Sequence, residues 1–564
     1  MAKSSAPSGL FVRQASGLVR DVSMTNALFF NISAFVGTAV GWAIAFYALY
    51  PEWQGFGGIS AYAYMAVLTG VACYFLGMIF SSLTTAMPRS GGDYVFTSRI
   101  ISPFWGWIES WTLVGSALTI IGFEIIVATH NIQLTAILLG VAFPSSVFGG
   151  ATTWLQDTTS KFIVGIIILL VIAGIAILKT RTFHKVVMGL TIFAIVAVAI
   201  NFIGAFTVDP TSLNNALPAL GTSSKTILDT ATKAGYTLGS PDFSLSETGL
   251  IALAGLASVI LFQYIGFQFS SYIAGEVKGN VRRAVMFAVI GALIFAVFMN
   301  SVYMDVQGSH FGFNLVNAWG YLYWFTSNAP LNGQPPFTPV MLAAVHPGFW
   351  PLWLIVALGN ITLNVLLCPV YAIFLSRIVL AWALDRQVPE WFSIVNERTN
   401  APLRVIILAV LIGAVFYVLT FINQWFPSVN IYLSLASTTF FGILLAGLTW
   451  IMPGLNAILI PYRRPDLFQL TNNTGKFLGL PRLVWSGILW LIFIVPVYVG
   501  AFGYPIYKNL VQTGTGYLSL SNASGVGWAL IFLVIGIVIY FVMRAVNTSR
   551  GINVKMIYQE LPPD

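Results

Sequence analysis

The chain has 564 residues, of which 57% are hydrophobic and only 8% charged, against about 25% charged residues in soluble domains. A soluble protein of this length would divide into domains with charged surfaces, so the composition excludes that class and marks an integral membrane protein. The formal charge of +8 is spread thinly along the chain, which argues against nucleic acid as a partner and makes the basic residues a record of topology.

Residues 1–24 are polar, carry Lys3, Arg13 and Arg20, and contain neither the short apolar core nor the cleavage site of a signal peptide. A cytoplasmic N-terminal segment is expected. Apolar runs long enough to cross a bilayer about 30 Å thick follow near 27–50, 60–85, 103–129, 161–178, 184–207, 248–273, 283–304, 349–383, 402–423, 429–452, 483–506 and 524–546. Residues 131–143 either continue the third run or form a short helix of their own. Cys73 and Cys368 fall inside apolar runs and are not expected to pair.

With the N-terminus inside, only Lys161, Lys225, Lys233 and Lys508 among the lysines and arginines fall outside. That distribution obeys the positive-inside rule and predicts a multi-pass protein of the cell membrane with both termini cytoplasmic. The outside loops at 208–247 and 305–348 are rich in Asn, Ser, Gly and Pro and include the apolar patch AWGYLYWF. They are expected to fold over the mouth as short helices or gates. No glycine loop followed by Lys-Ser or Lys-Thr is present, so transport would be driven by gradients rather than by ATP.

Two runs are interrupted in the same way. The first reads NISAFVGTAVGWAIAF, broken by Gly37, Thr38 and Gly41; the sixth reads ASVILFQYIGFQFSSYIAGEV, broken by Gly266 among Gln263, Gln268, Ser270 and Ser271. Five spans separate the two, so the halves would lie in opposite orientations, and paired interruptions of this kind point to a substrate site at the bilayer midplane. At a broken helix, unpaired N–H groups carry positive and unpaired C=O groups negative polarity, a match for a zwitterion such as an amino acid. Close helix packing is the competing explanation for a single pair of small residues, and the doubled pattern weighs against it.

Three separated stretches resemble amino acid permeases of the amino acid–polyamine–organocation superfamily. They are YIGFQFSSYIAGEVKGNVRRA in the sixth span, MPRSGGDYVFTSRIISPFWGWIESW between the second and third, and SRIVLAWALDRQVPEWFSIVNERTNAPLRVI after the eighth. The resemblance implies an all-α fold of about twelve transmembrane helices with a LeuT-like five-plus-five inverted-repeat core. The core would occupy 25–452 (helices 1–5 at 25–207, helices 6–10 at 248–452), with two additional helices at 453–546 and a cytoplasmic tail at 547–564. It implies alternating access around the broken first and sixth helices. By the same resemblance, Gly37, Thr38 and Ala39 would supply amides to a substrate carboxylate, and carbonyls of Phe35, Phe262 and Ile265 would receive its ammonium beside Gly266. Phe262 or Tyr264 would be the lid, while Ala117, Leu118, Gly122 and Ile125 would border the side-chain pocket. The chain departs from the family pattern where Ala39 replaces a glycine and Gln268 a frequent glutamate, and its fifth span has no lysine in its membrane part. A coupling proton or sodium ion, or exchange, stays open; no other cofactor is expected.

Ionisable residues inside a span are functional by default, because an unpaired charge there costs at least about 2.5 kcal/mol. Glu124 follows Ala117 by about two helical turns and is the candidate for coupling or side-chain recognition, with Gln268, Asn360 and Asn364; a carboxylate bonded near the mouth is its ordinary alternative. Glu109, Glu276, Arg377 and Asp385 are expected to brace the inner gate, and Asp305 to sit just outside. The four histidines have no ligand spacing, so no metal site is expected. A permease for amino acids leads this reading, acting as monomer or homodimer. An amine or polyamine carrier and a nutrient sensor without transport are the alternatives, and no enzyme is expected, since no nucleophile–base arrangement is visible.

Overall fold

The computed structural model describes residues 17–35, 58–143, 148–237, 247–326, 328–426, 435–513, 526–552 and 557–561. The helices run α1 (Met24–Ile32), α2 (Ala61–Ala86), α3 (Asp93–Ile100), α4 (Pro103–Ala142), α5 (Phe148–Trp154), α6 (Thr158–Ala176), α7 (Thr180–Ala205), α8 (Pro210–Ala216) and α9 (Ser224–Lys233). The second half follows with α10 (Glu247–Tyr264), α11 (Val281–Phe298), α12 (Met304–Phe311), α13 (Phe313–Phe325), α14 (Pro330–Gly333), α15 (Thr338–Val345), α16 (Trp350–Leu384), α17 (Leu403–Trp425) and α18 (Leu435–Arg463). Last come α19 (Pro465–Leu470), α20 (Arg482–Tyr498), α21 (Tyr504–Thr513) and α22 (Val526–Ser549). Among the described residues ten helical segments are long and apolar enough to cross a membrane, and the shorter apolar helix Gly249–Tyr264 joins them. The chain is an all-α, multi-pass membrane protein.

Polar residues set the starts of these helices. Ser23, Ser60, Ser102, Asp157 and Asn280 each accept a hydrogen bond from the first turn of the helix that follows, satisfying an N–H group that lipid cannot. Asp305 sits at the start of α12 and accepts from Ser60 N at 2.8 Å, which fastens the seventh span to the head of the second. Residues 131–143 are not a separate element, because α4 continues unbroken through Ala142. The tenth-span helix likewise runs past residue 452 to Arg463, carrying Pro453 and Pro461 inside it.

Two helices form the axis of the bundle. Their most apolar windows are 94% buried in α4 and 89% in α16, against 28% in α6 and in α22. They are also the longest, at 40 and 35 residues, and they pack on each other. A helix buried all round can be apolar all round, which is why neither shows a polar stripe.

The two loops expected outside contain short helices. The first folds into α8 and α9, the second into α12 to α15. Tyr321 Oη donates to Ala234 O at 3.1 Å, which ties α13 to the end of α9. Trp319 Nε1 donates to Gln334 O at 2.9 Å, and Gln334 Nε2 to Gln133 Oε1 of α4 at 3.0 Å. The loops are thereby bonded to each other and to the axis.

Candidate functional site

The sixth span stops being an α-helix at Tyr264 and continues through turns and short 3-10 segments to Glu276. Gly266 has φ +115°, a conformation open to glycine. A Cβ there would lie 2.6 Å from the Ala34 carbonyl oxygen. The first and sixth spans therefore touch backbone to backbone at the break. In the first span, α1 ends at Ile32 and Ser33–Ala34 form a turn. Gly37, Thr38, Ala39 and Gly41 lie outside the described residues.

Asn31 holds this contact. Its Nδ2 donates to Phe267 O at 2.5 Å and to Ser270 Oγ at 3.1 Å, and its Oδ1 accepts from Ser270 N at 2.6 Å. One buried amide thus occupies backbone groups of the sixth span that a regular helix would have paired internally. Sequence reasoning missed it, although the signal was present in a lone Asn within the apolar stretch just ahead of the interruption. Asn31→Leu is expected to cut uptake at least about tenfold and to lower the midpoint of thermal unfolding. A buried amide left unpaired costs about 1–3 kcal/mol, and about 1.4 kcal/mol is a factor of ten. Unchanged uptake and melting would remove Asn31 from this role.

Phe35, Phe262 and Ile265, next to the break in the first and sixth spans, are buried, as are Ala117, Leu118 and Ile125 of α4. The Phe262 ring approaches Gly442 of α18, as do the Ser116 and Thr119 hydroxyls of α4, and Ser116 Oγ donates to Gly442 O at 2.8 Å. Third, sixth and tenth spans meet at this point. Two expected residues lie elsewhere. A Cβ on Gly122 would stand 2.8 Å from Phe416 Cβ and 3.0 Å from Gly413 O, so Gly122 is a close-packing position against α17 rather than a pocket wall. Tyr264 Oη donates to Ala66 O of α2 at 2.8 Å, which anchors it and leaves Phe262 as the aromatic side chain at the third- and tenth-span junction. Gln268 is buried, and its Oε1 has no hydrogen bond.

Glu124 joins the two axial helices. Asn364 Nδ2 donates to Glu124 Oε2 at 2.6 Å, and Asn131 Nδ2 donates to Asn364 Oδ1 at 2.8 Å. Among the described residues no lysine or arginine forms an ion pair with Glu124. Asn360 is buried one turn earlier on α16.

At the face bearing Val22, Arg99 and Asp385, the basic face, two buried ion pairs join the spans. Arg377 grips Glu276 through Nε–Oε1 at 2.7 Å and Nη2–Oε2 at 2.8 Å. Arg99 of α3 grips Asp385 through Nη1–Oδ2 at 2.5 Å and Nη2–Oδ1 at 2.8 Å. Tyr94 Oη donates to the same carboxylate at 2.9 Å. Of the residues expected at the inner gate, Glu276 and Arg377 pair with each other, and Asp385 pairs with Arg99, a partner that sequence reasoning did not assign. Glu109 is buried close by but takes part in neither pair.

Further contacts seal this face. Val22 N donates to Glu276 O and Lys278 N to Val22 O, both at 2.9 Å, joining the entry of the first span to the exit of the sixth. Lys278 also pairs with Asp21 and, by hydrogen bonding to it, holds that carboxyl below its usual range. Beyond the last span, Tyr558 accepts from Gln387 Nε2 at 2.5 Å, with Arg99 5.1 Å above its ring. Glu560 O accepts from Arg99 Nε at 3.3 Å.

A sequence model of the family described as amino acid permease matches residues 23–518. The chain is 24% identical over 387 residues to the branched-chain amino acid permease BcaP of Lactococcus lactis subsp. cremoris (strain MG1363), covering 65% of this chain and 70% of that protein. Its fold is similar to the crystal structure of MhsT in complex with L-phenylalanine, with a TM-score of 0.51 at 15% identity over 86% of this chain and 100% of that one.

Proposed function

The chain belongs to the amino acid permease family and is a membrane transporter of amino acids rather than an enzyme, and from that premise we propose that it carries neutral amino acids with apolar side chains. What supports this reading is the apolar character of the residues that the family resemblance assigns to the site: Ala117, Leu118 and Ile125 of α4, and Phe262 and Ile265 at the break, are all buried. The named substrate of BcaP and the ligand in the MhsT structure also have apolar side chains. The amides of Gly37, Thr38 and Ala39 would take the carboxylate, and the carbonyls of Phe35, Phe262 and Ile265 the ammonium. The broken helix ends supply matching polarity for both.

In this proposal the transport core is the ten helices from 25 to 452, extended to the end of α18, and two further helices follow. Both termini are cytoplasmic and the membrane is the cell membrane, as the bias of basic residues favours. The basic face is then the inner face, and its two ion pairs hold the carrier shut on that side. Transport is driven by an ion gradient or by exchange.

One observation supports a second reading. Glu124 is buried in α4 with an amide partner and, among the described residues, no ion-paired cation, a place where a cationic substrate side chain would bind. Purified protein in proteoliposomes, offered a panel of labelled amino acids, separates the two. Saturable uptake of leucine-like substrates and not of lysine or arginine is the expected result. Glu124→Gln keeps a polar partner for Asn364, so uptake of neutral substrates is expected to stay within about threefold of wild type, under 1 kcal/mol. Preferred uptake of lysine or arginine, abolished by Glu124→Gln, would establish the second reading instead.

A further inference from the structure

A pair of carboxyl groups on the basic face has no part in the ion pairs of the gate. Asp93 opens α3 and Glu109 lies in the second turn of α4; both are fully buried. Their carboxyls face each other, with Thr97 beside Glu109 and the Tyr272 hydroxyl of the sixth span directed at Asp93. Among the described residues, neither Glu109 oxygen has a hydrogen-bond partner, and neither have Asp93 Oδ2 or Tyr272 Oη, while Asp93 Oδ1 accepts from Tyr94 N at 2.8 Å. Thr97 Oγ1 already accepts from Asn456 Nδ2 at 2.7 Å.

Two carboxylates that meet in a buried place cannot both carry charge, and buried oxygens without a donor are costly. The buried arginines of this face among the described residues, Arg99 and Arg377, are each held bidentately by another carboxylate. We infer that Asp93 and Glu109 together bind one proton while the basic face is shut. The cover over this site belongs to the sixth span. Gly91 N donates to Tyr272 O at 3.0 Å, and a Cβ on Gly92 would lie 2.4 Å from the Tyr272 ring. Displacement of the sixth span therefore uncovers the carboxyls to water, where each ionises on its own and the proton leaves. The inference goes beyond the choice of substrate and rests on the chain being a carrier whose basic face opens.

The sign follows from linkage. The shut state holds one proton more than the open one, so acid favours the shut state and opening becomes easier as pH rises, by up to about tenfold per pH unit for a single proton. The test is exchange of a labelled neutral amino acid in proteoliposomes at equal pH on both sides, which removes any proton driving force. Exchange by wild type is expected to climb with pH, while Glu109→Gln and Asp93→Asn, which each abolish the facing pair, give flat profiles. Parallel profiles for wild type and both variants would overturn the inference. So would exchange that follows sodium at fixed pH in wild type and not in the variants. Infrared spectra of the same vesicles provide a readout independent of transport, and also serve if a variant does not exchange. A protonated-carboxyl band present in wild type and diminished in each variant supports the shared proton, whereas equal bands exclude it. Absence of exchange in wild type would refute the carrier reading and leave the infrared result to decide on the proton.

Discussion

Gly266→Ala is expected to abolish uptake and to lower the midpoint of thermal unfolding by several degrees. Two independent costs meet at this residue. A non-glycine residue held at φ +115° carries strain of order 1–3 kcal/mol. The new methyl group would also lie 2.6 Å from Ala34 O and 2.7 Å from Ala34 C, and overpacking of this kind costs about 1–3 kcal/mol. The obstructing atoms are backbone, so no rotamer change relieves them. The first and sixth spans must separate, which withdraws Ser270 N and Phe267 O from Asn31 at the point proposed to hold substrate. Initial rates of leucine uptake in proteoliposomes, measured beside the melting curve in detergent, check this. A variant with wild-type rate and stability would mean that the two backbones do not meet at Gly266.

Arg377→Gln should destroy concentrative uptake for a different reason. Glu276 would remain buried without its cation, and breaking a buried ion pair from one side costs about 3–5 kcal/mol. That corresponds to a population shift on the order of a hundredfold or more, and it acts on the shut state of the basic face, where the pair is formed. The carrier should fail to hold a gradient even where it still binds substrate. Removing both charges in Arg377→Met with Glu276→Leu should recover most of the lost thermal stability, because an apolar pair of similar volume avoids the uncompensated charge. If the double variant melts no higher than Arg377→Gln, the ion pair is not the origin of the defect.

The spans were legible because lipid imposes a length and an apolar composition on every crossing segment. The sixth-span break was legible at Gly266 because glycine among polar residues inside such a segment violates that rule. What the sequence did not disclose is which distant side chains meet. Asn31 and Ser270 are 239 residues apart, and Arg99 and Asp385 are 286 apart; no local period records either pairing. Gly122 was misplaced for a related reason. On a helix buried on every side, small residues mark close approach without indicating which neighbour approaches. Nor did the sequence disclose that Tyr264 bonds to α2 through Ala66 O.

The seat of Tyr558 on Arg99 and Gln387 has a consequence for biogenesis. Its partners belong to segments threaded into the membrane early and midway through synthesis, whereas Tyr558 follows α22. These contacts of the basic face therefore form only after α22 has been delivered to the bilayer, and until then the nascent chain lacks this fastening between its early and late segments.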